Sequence, residues 1–250
     1  MAGRRLRMEH LKQPMICVIQ FPGTTCDRET MAALEVLRPG QVRLHWHELA
    51  ELPAEVTLVV LPGGFSFGDY LRAGALAARS PAMGSVVRYA NRGGWVLGIC
   101  NGFQILTEAG LLPGALVRNR DLHFVCDTVG LEVADGPPAL LAALPPGQRL
   151  RLPIAHRDGC FVASPELLAS LSSNHQVLLR YCDAGQAGPG NPNGSADAIA
   201  GICSANRRVL GLMPHPERAF APWHGSSDGK RWLEALFQAI DATGDLPPPG

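Results

Sequence analysis

The chain has 250 residues, of which 46% are hydrophobic and 18% are charged, a balance that is typical of a globular enzyme. Its 22 basic and 22 acidic residues cancel, so the composition implies no basic face large enough to hold nucleic acid. No stretch approaches the ~18 apolar residues of a membrane span, and the Arg-rich first 14 residues lack the apolar run of a signal peptide.

The first half of the chain alternates short apolar runs with amphipathic segments. The predicted strands of this half are residues 15–21, 41–47, 56–61 and 95–99. The predicted helices, which have apolar residues at helical spacing, are residues 28–37, 73–90 and 101–109. Because strands that alternate with helices form a parallel sheet covered on both faces, we expect an α/β fold.

In the second half the predicted strands lie closer together. They are residues 128–133, 150–154, 160–163, 176–181, 198–202 and 209–213, and a closing helix follows at 229–240. Some of these strands are expected to pair as a small antiparallel side sheet. We therefore predict a single α/β domain over residues 15–244, in which helices flank a mostly parallel sheet. Residues 1–14 and 245–250 are expected to be flexible ends, and 184–195 an exposed loop.

The seven cysteines are scattered along the chain, and no two of them form a C-x-x-C pair. Neither a zinc knuckle nor a thioredoxin-like site is therefore predicted. We expect reduced thiols in a cytoplasmic protein, most of them buried as small apolar side chains.

The sharpest motif is residues 98–102 (GICNG), where a predicted strand leads directly into a predicted helix. This is the G-x-nucleophile-x-G pattern of a nucleophile elbow, with Cys100 in the place of the nucleophile. The turn is so tight that small residues are needed at Gly98 and Gly102. At the helix N-terminus, unpaired N–H groups and the helix dipole stabilise negative charge on the sulfur. We interpret Cys100 as a nucleophile rather than as one more buried core cysteine.

Gln104 follows Cys100 by four residues, so a helix places both side chains on one face. A substrate that lies over the thiol could therefore contact Gln104. The flanking apolar residues indicate that this helix is buried, which argues against a solvated glutamine.

A second motif, residues 61–69 (LPGGFSFGD), follows a predicted strand. It is expected at the carboxyl edge of the sheet, where open α/β folds bind ligands. Paired glycines can turn backbone N–H groups towards a developing oxyanion. The N–H groups of Gly64 and Asn101 are the candidate donors.

The third motif is residues 213–217 (MPHPE), directly after a predicted strand. Pro216 favours an extended conformation at His215, and in extended chain residues two apart point the same way. Glu217 can then reach the far nitrogen of His215. A thiol nucleophile needs a base and the base needs an orienting group, so Cys100, His215 and Glu217 are predicted as a triad. For the competing His156, we favour a structural or partner-facing role over catalysis.

The order of a Gly-Gly turn, a G-x-C-x-G elbow with Gln four residues later and a distal His-x-Glu resembles class I glutamine amidotransferases. Similarity is closer still to the glutaminase subunits of phosphoribosylformylglycinamidine synthase, in purine biosynthesis. The segments that carry it are 21–27 (FPGTTCD), 62–75 (PGGFSFGDYLRAGA), 98–106 (GICNGFQIL), 153–159 (PIAHRDG), 191–195 (NPNGS) and 213–218 (MPHPER). It spans about residues 15–240 and departs at Arg157-Asp158, where many relatives have Gly-Glu.

The resemblance implies an enzyme that hydrolyses glutamine to glutamate and ammonia through Cys100, His215 and Glu217. It implies that oxyanion and substrate contacts come from Gly63, Gly64, Phe65, Asn101 and Gln104. Ammonia would pass to a large synthase subunit that makes formylglycinamidine ribonucleotide from formylglycinamide ribonucleotide, and a small accessory subunit often completes the complex. The chain has no phosphate-binding loop, so ATP and Mg are expected on the partner. In this chain we expect no cofactor, no metal, and no nucleic-acid or membrane partner.

Two other functions compete with this one. A stand-alone cysteine hydrolase or peptidase of the same fold often has its histidine beside the elbow, where this chain has Asn101. A binding or regulatory module with a vestigial nucleophile is disfavoured by the intact Cys100, His215 and Glu217.

Overall fold

The computed structural model of the chain describes residues 14–135, 142–183 and 190–243. The predicted flexible ends lie outside these ranges except for Pro14. The predicted loop at 184–195 is described only from residue 190, and there the prediction of exposure is wrong, since Asn193 and Ser195 are buried and hydrogen-bonded to Gly159 O. Within the described residues, no helix is long and apolar enough to cross a membrane.

The elements alternate in the first half of the chain as predicted. They are β1 (Met15–Gln20), α1 (Asp27–Leu37), β2 (Val42–Trp46), β3 (Val56–Leu61), α2 (Pro81–Asn91), β4 (Trp95–Ile99) and α3 (Asn101–Glu108). The second half contains β5 (Ala115–Val117), β6 (Val125–Val133), β7 (Arg149–His156), β8 (Cys160–Val162), α4 (Pro165–Ser173), β9 (Val177–Cys182), β10 (Ile199–Cys203), β11 (Val209–Leu212) and α5 (Asp228–Thr243).

Nine of the described strands form one mixed sheet in the order β2-β1-β3-β4-β11-β10-β9-β6-β7. The run from β2 to β11 is parallel, and every pairing from β11 onwards is antiparallel. The predicted α/β class is confirmed. The antiparallel strands extend the main sheet, while β5 and β8 form a separate two-stranded sheet.

The parallel strands carry the core. Every residue of β4 and β11 is buried, because helices cover both faces of a parallel sheet. Strand β11, although last in the chain, pairs with β4 in the middle of the sheet, with Leu212 opposite Ile99. The segments that leave these two strands therefore start side by side at the carboxyl edge.

The predicted helix at 73–90 is wrong in its first part. Helix α2 begins at Pro81, preceded by an extended Ser80 with ψ 155° and by a short 3-10 turn over Ala77–Arg79. The residue before a proline avoids the helical region, and proline itself suits the first helical position. Gly74 contributes a second break: its φ is +83°, and an added Cβ would lie 2.7 Å from the Ile105 nitrogen.

Two elements were not predicted. Helix α4 has a sequence signal, since Ser164 caps it by accepting from Leu167 N at 3.2 Å and Pro165 follows at the first position. Strand β5 has three residues, too few for a periodic pattern.

Candidate active site

The elbow after β4 has the strained geometry that its sequence predicts. Cys100 has φ 51° and ψ −105°, outside the usual range for a residue with a side chain. A Cβ added to Gly98 would lie 2.6 Å from the carbonyl carbon of Gly102, and one added to Gly102 would lie 1.9 Å from Leu61 O. Only glycine fits at either position. The Cys100 side chain is buried, and its Sγ lies 3.7 Å from Ala155 O on β7.

The predicted base and its orienting acid meet directly after β11. His215 Nδ1 lies 2.6 Å from Glu217 Oε1, and the two residues are 1% and 3% exposed. His215 is extended, as Pro216 predicts, but Pro216–Arg218 then forms a 3-10 turn that brings the carboxylate back to the ring. The His215 N–H donates to Pro153 O at 2.8 Å, which fixes this loop against β7.

The neighbours of His215 favour its protonated form. Burial lowers the pKa of His215, but the negative charge of Glu217, followed by the nearby Cys100 and Cys26 thiols, outweighs burial and raises that pKa well above its usual value. Cys100 N donates to Leu212 O at 2.7 Å, which joins the elbow to the end of β11. The site can therefore hold a proton on the imidazole beside a nucleophilic sulfur.

The Gly-Gly turn at the end of β3 packs against both the base and the segment that precedes α1. Gly63 O accepts from Cys26 N at 3.2 Å and from Thr25 N at 3.4 Å. Since the C=O and N–H of one trans peptide point in opposite directions, the Gly64 N–H is directed away from those two amides. A Cβ added to Gly63 would lie 2.7 Å from His215 Cε1, so glycine is required there.

The Asn101 and Gln104 side chains connect two loops to helix α3. Asn101 Oδ1 accepts from Ser66 N at 3.1 Å, and its Nδ2 donates to Gln104 Oε1 at 2.8 Å. Gln104 Nε2 donates to Asp158 O at 2.6 Å. These bonds fix the Gly-Gly turn and the 157–159 turn relative to the elbow helix α3. A direct contact between Gln104 and substrate stays a prediction.

Exposed apolar side chains border the site on two loops. Phe65, which follows the Gly-Gly turn, packs against Phe124 with 6.4 Å between ring centroids. Three further large side chains, Tyr70, Leu71 and Leu122, are exposed on the same loops. We call these five residues the apolar rim.

An acidic pair lies beside the rim. Burial and the neighbouring Asp158 carboxylate raise the pKa of Asp69 to about 6, although Arg157 opposes them. Asp158 itself forms an ion pair with Arg157, 3.2 Å apart.

His156 is a structural residue in this geometry. It is buried, its Nδ1 lies 3.2 Å from Asn119 Oδ1, and Asn119 Nδ2 donates to His156 O at 2.9 Å. Burial, and then the nearby charge of His215, lower the pKa of His156 to about 4, so the ring is neutral near neutral pH. The buried ring leaves no surface for the partner-facing role.

This neutral histidine predicts acid sensitivity. The pKa of His156 is lower when folded than when unfolded, so the unfolded chain binds more protons between about pH 6.5 and 4. The contribution of His156 to the free energy of unfolding should fall by roughly 3 kcal/mol across that window on acidification. Urea unfolding at several pH values should show a flatter profile for His156→Gln, while the exposed control His123→Gln should follow the wild type. Parallel wild-type and His156→Gln profiles would contradict the assignment.

One residue of the site was missed from the sequence. Cys26, immediately before α1, lies against His215, and Arg218 Nη2 donates to its Sγ at 3.1 Å. Its position within the motif at 21–27 was the only available signal.

The chain is similar in sequence to glutamine amidotransferases. A family model described as a CobB/CobQ-like glutamine amidotransferase domain matches residues 13–240. Phosphoribosylformylglycinamidine synthase subunit PurQ of Gloeobacter violaceus is 53% identical over 221 residues, covering 88% of this chain and 95% of that protein. The subunit of the same name from Cereibacter sphaeroides is 53% identical over 220 residues, covering 88% and 96%.

Solved structures agree with the sequence relatives. A chain in the structure of PurLQS from Thermotoga maritima matches with a TM-score of 0.78 and 38% identity, covering 91% of this chain and 99% of that chain. A putative GMP synthase subunit from Thermoplasma acidophilum shares the fold, with a TM-score of 0.61 at 15% identity.

Proposed function

Because the chain belongs to the CobB/CobQ-like glutamine amidotransferase family, we propose that it is the glutaminase subunit of a phosphoribosylformylglycinamidine synthase. The observation that carries the proposal is the convergence of a strained elbow cysteine with a buried His–Glu pair at the ends of two adjacent parallel strands. The relatives of that name support the substrate and the pathway, since the chain covers 95% and 96% of their lengths.

The chemistry follows from the protonation of His215. The Cys100 thiolate attacks the side-chain amide carbon of glutamine, and a tetrahedral oxyanion forms. His215 gives its proton to the leaving nitrogen, so ammonia departs and a thioester remains. His215 then takes a proton from water, whose oxygen attacks the thioester and releases glutamate. Glu217 holds the imidazole in position and stabilises its charge.

For the oxyanion we assign the N–H groups of Gly64 and Asn101. Asn101 opens helix α3, where the first N–H groups have no partner within the helix. The Gly63 carbonyl is held by Cys26 N and Thr25 N, which orients the Gly64 N–H. Gly63, Phe65 and Gln104 complete the proposed contact surface for glutamine.

The acceptor chemistry belongs to a partner. We place ATP, Mg and formylglycinamide ribonucleotide on a large synthase subunit, which docks over the apolar rim, and a small accessory subunit completes the complex. Support for docking at this face comes from the exposed Phe65–Phe124 pair beside the turn that orients the oxyanion donor. We further propose one amidotransferase domain over residues 15–244 and a cytoplasmic location, in line with seven cysteines that all lack a disulfide.

Reconstitution with the synthase partner tests this function. The pure chain is expected to hydrolyse glutamine slowly, and the substrate-loaded partner to raise the rate by about a hundredfold, the effect of one oxyanion donor. The physical reason is that glycine lets the Gly63–Gly64 peptide of the free chain flip at low steric cost once Gly63 O leaves its bonds to Cys26 N and Thr25 N, and the flip withdraws the Gly64 N–H from the oxyanion. A partner docked on the apolar rim would hold the Gly63–Gly64 peptide in the orientation that directs the Gly64 N–H to the oxyanion.

The measurement is steady-state glutamate release with and without partner, with the Cys100→Ala chain as background. Phe124→Ser should weaken the stimulation, whereas exchange of the exposed Trp223 for Ser, outside the rim, should not. Equal rates with and without partner would favour the stand-alone hydrolase.

A further inference from the structure

Cys26 forms a group of potential metal ligands with two members of the triad. Cys26, His215 and Glu217 are all buried, and one ligand atom from each lies within 4.8 Å of the other two. The group combines a thiol sulfur, an imidazole nitrogen and a carboxylate oxygen. The glutaminase reaction described above uses His215 and Glu217 but gives Cys26 no task.

One buried atom of this group has no partner that the triad explains. Among the described residues, Glu217 Oε2 forms no hydrogen bond, whereas the unpaired His215 Nε2 belongs to the ring that lies beside the Cys100 thiol. A buried carboxylate oxygen without a partner is costly, and such an atom favours a bound cation or water. The unpaired Glu217 oxygen therefore favours a bound cation, in addition to the closeness of the three ligand atoms.

We propose that Cys26, His215 and Glu217 form an inhibitory site for a thiophilic divalent cation of the Zn²⁺ class. Sulfur, imidazole and carboxylate are the ligand types that Zn²⁺ prefers. Zinc–ligand bonds of about 2.0 to 2.3 Å at tetrahedral angles put ligand atoms roughly 3.3 to 3.8 Å apart. From a starting spread of 4.8 Å, closure needs shifts on the order of 1 Å, within the range of small side-chain rotations.

A path to this group exists on the side of α1. A cavity of ≈ 460 Å³ is lined by Glu217 and Arg218, and by Glu29, Ala33, Phe220 and His224. Arg218 separates the cavity from Cys26: its guanidinium donates to Sγ at 3.1 Å and lies 3.7 Å from Glu29 Oε1. A cation must displace Arg218 from the sulfur, and Glu29 can retain the guanidinium when this happens.

Occupancy has a specific consequence. The cation takes lone pairs of the imidazole and the carboxylate that the glutaminase reaction needs, and His215 and Cys26 each lose a proton to solvent as it binds. Glutamine hydrolysis stops. The partner's use of ammonium salts, which does not need the triad, continues. The inference rests on the proposed function only for this consequence, since cation binding itself is independent of activity.

Binding is measured on the pure, folded chain with Co²⁺ as a spectroscopic probe and Zn²⁺ as its competitor. We expect one equivalent of Co²⁺ to give a thiolate charge-transfer band, and Zn²⁺ to remove it. Cys26→Ser and Cys26→Ala should lose the band and weaken Zn²⁺ binding at least about tenfold, as loss of a ligand requires. The control Cys126→Ser, at an exposed thiol, should keep both.

Arg218→Gln should raise the affinity for Zn²⁺, because it removes the guanidinium that is bonded to the Cys26 sulfur. This variant keeps Cys26, so it tests the site even if a Cys26 variant fails to fold. Circular dichroism checks the fold of each variant. A band lost with Cys100→Ser but kept with both Cys26 variants would put the cation on the nucleophile and overturn the proposal. Unchanged Zn²⁺ affinity in Cys26→Ser would overturn it as well.

Discussion

Cys100→Ala is expected to abolish glutamine-dependent synthesis by the reconstituted complex and to leave synthesis from ammonium salts intact. The reason is a division of labour, since the thiol only releases ammonia and the partner carries out the phosphate chemistry. Removal of a triad nucleophile lowers turnover by roughly a millionfold in a well-studied protease. We expect glutamine turnover here to fall to the detection limit.

The assay measures product formation with glutamine and, separately, with an excess of ammonium chloride. The matched control is Cys126→Ala, since Cys126 is exposed on β6 and has no part in the site. Retained activity with both nitrogen sources is expected for that control. A Cys100→Ala complex that is inactive with both sources would mean that this chain does more than supply ammonia.

His215→Ala should be nearly as damaging as Cys100→Ala, and Glu217→Gln about a hundredfold milder than His215→Ala. His215 transfers protons in both halves of the reaction, whereas Glu217 orients the ring through the 2.6 Å contact between Oε1 and Nδ1. In the protease triad, removal of the base lowers kcat more than removal of the orienting acid does, by a similar factor.

The readout is the glutaminase rate of each variant in the complex, together with its rate on ammonium salts as a check of folding. His156→Gln is the matched control, because it alters a second buried histidine that this geometry leaves outside the reaction. A severe loss in His156→Gln beside a mild one in His215→Ala would reverse the assignment of the base.

Cys26 is a second thiol beside the catalytic base His215. Its Sγ accepts from Arg218 and its thiol helps to raise the pKa of His215. A cation on Cys26 would therefore act on the base without touching the nucleophile. Inhibition by a cation on Cys26 therefore differs from inhibition by modification of Cys100. Variants of Cys26 should relieve only the first, and variants of Cys100 distinguish the second.

Those parts of the site that are local in the chain could be predicted from the sequence. The elbow depends on Gly98 and Gly102, whose missing side chains leave room for a turn that any Cβ would block. The His215–Glu217 contact depends on a two-residue spacing and on the backbone restriction from Pro216. Such short-range constraints act before tertiary packing, and a single sequence displays them.

Which of these local parts meet depends on the strand order of the folded chain. Strand β11 returns to the middle of the sheet beside β4, and this pairing brings Cys100 N to Leu212 O and the base to the nucleophile. The same packing buries His156 against Asn119 and places Cys26 beside His215. The local motifs at 21–27 and 153–159 do not show these contacts, because burial and long-range contact depend on the order of the strands in the sheet. Long-range packing also contributes to the break before α2, since Gly74 lies so close to the backbone of α3 that a Cβ would not fit.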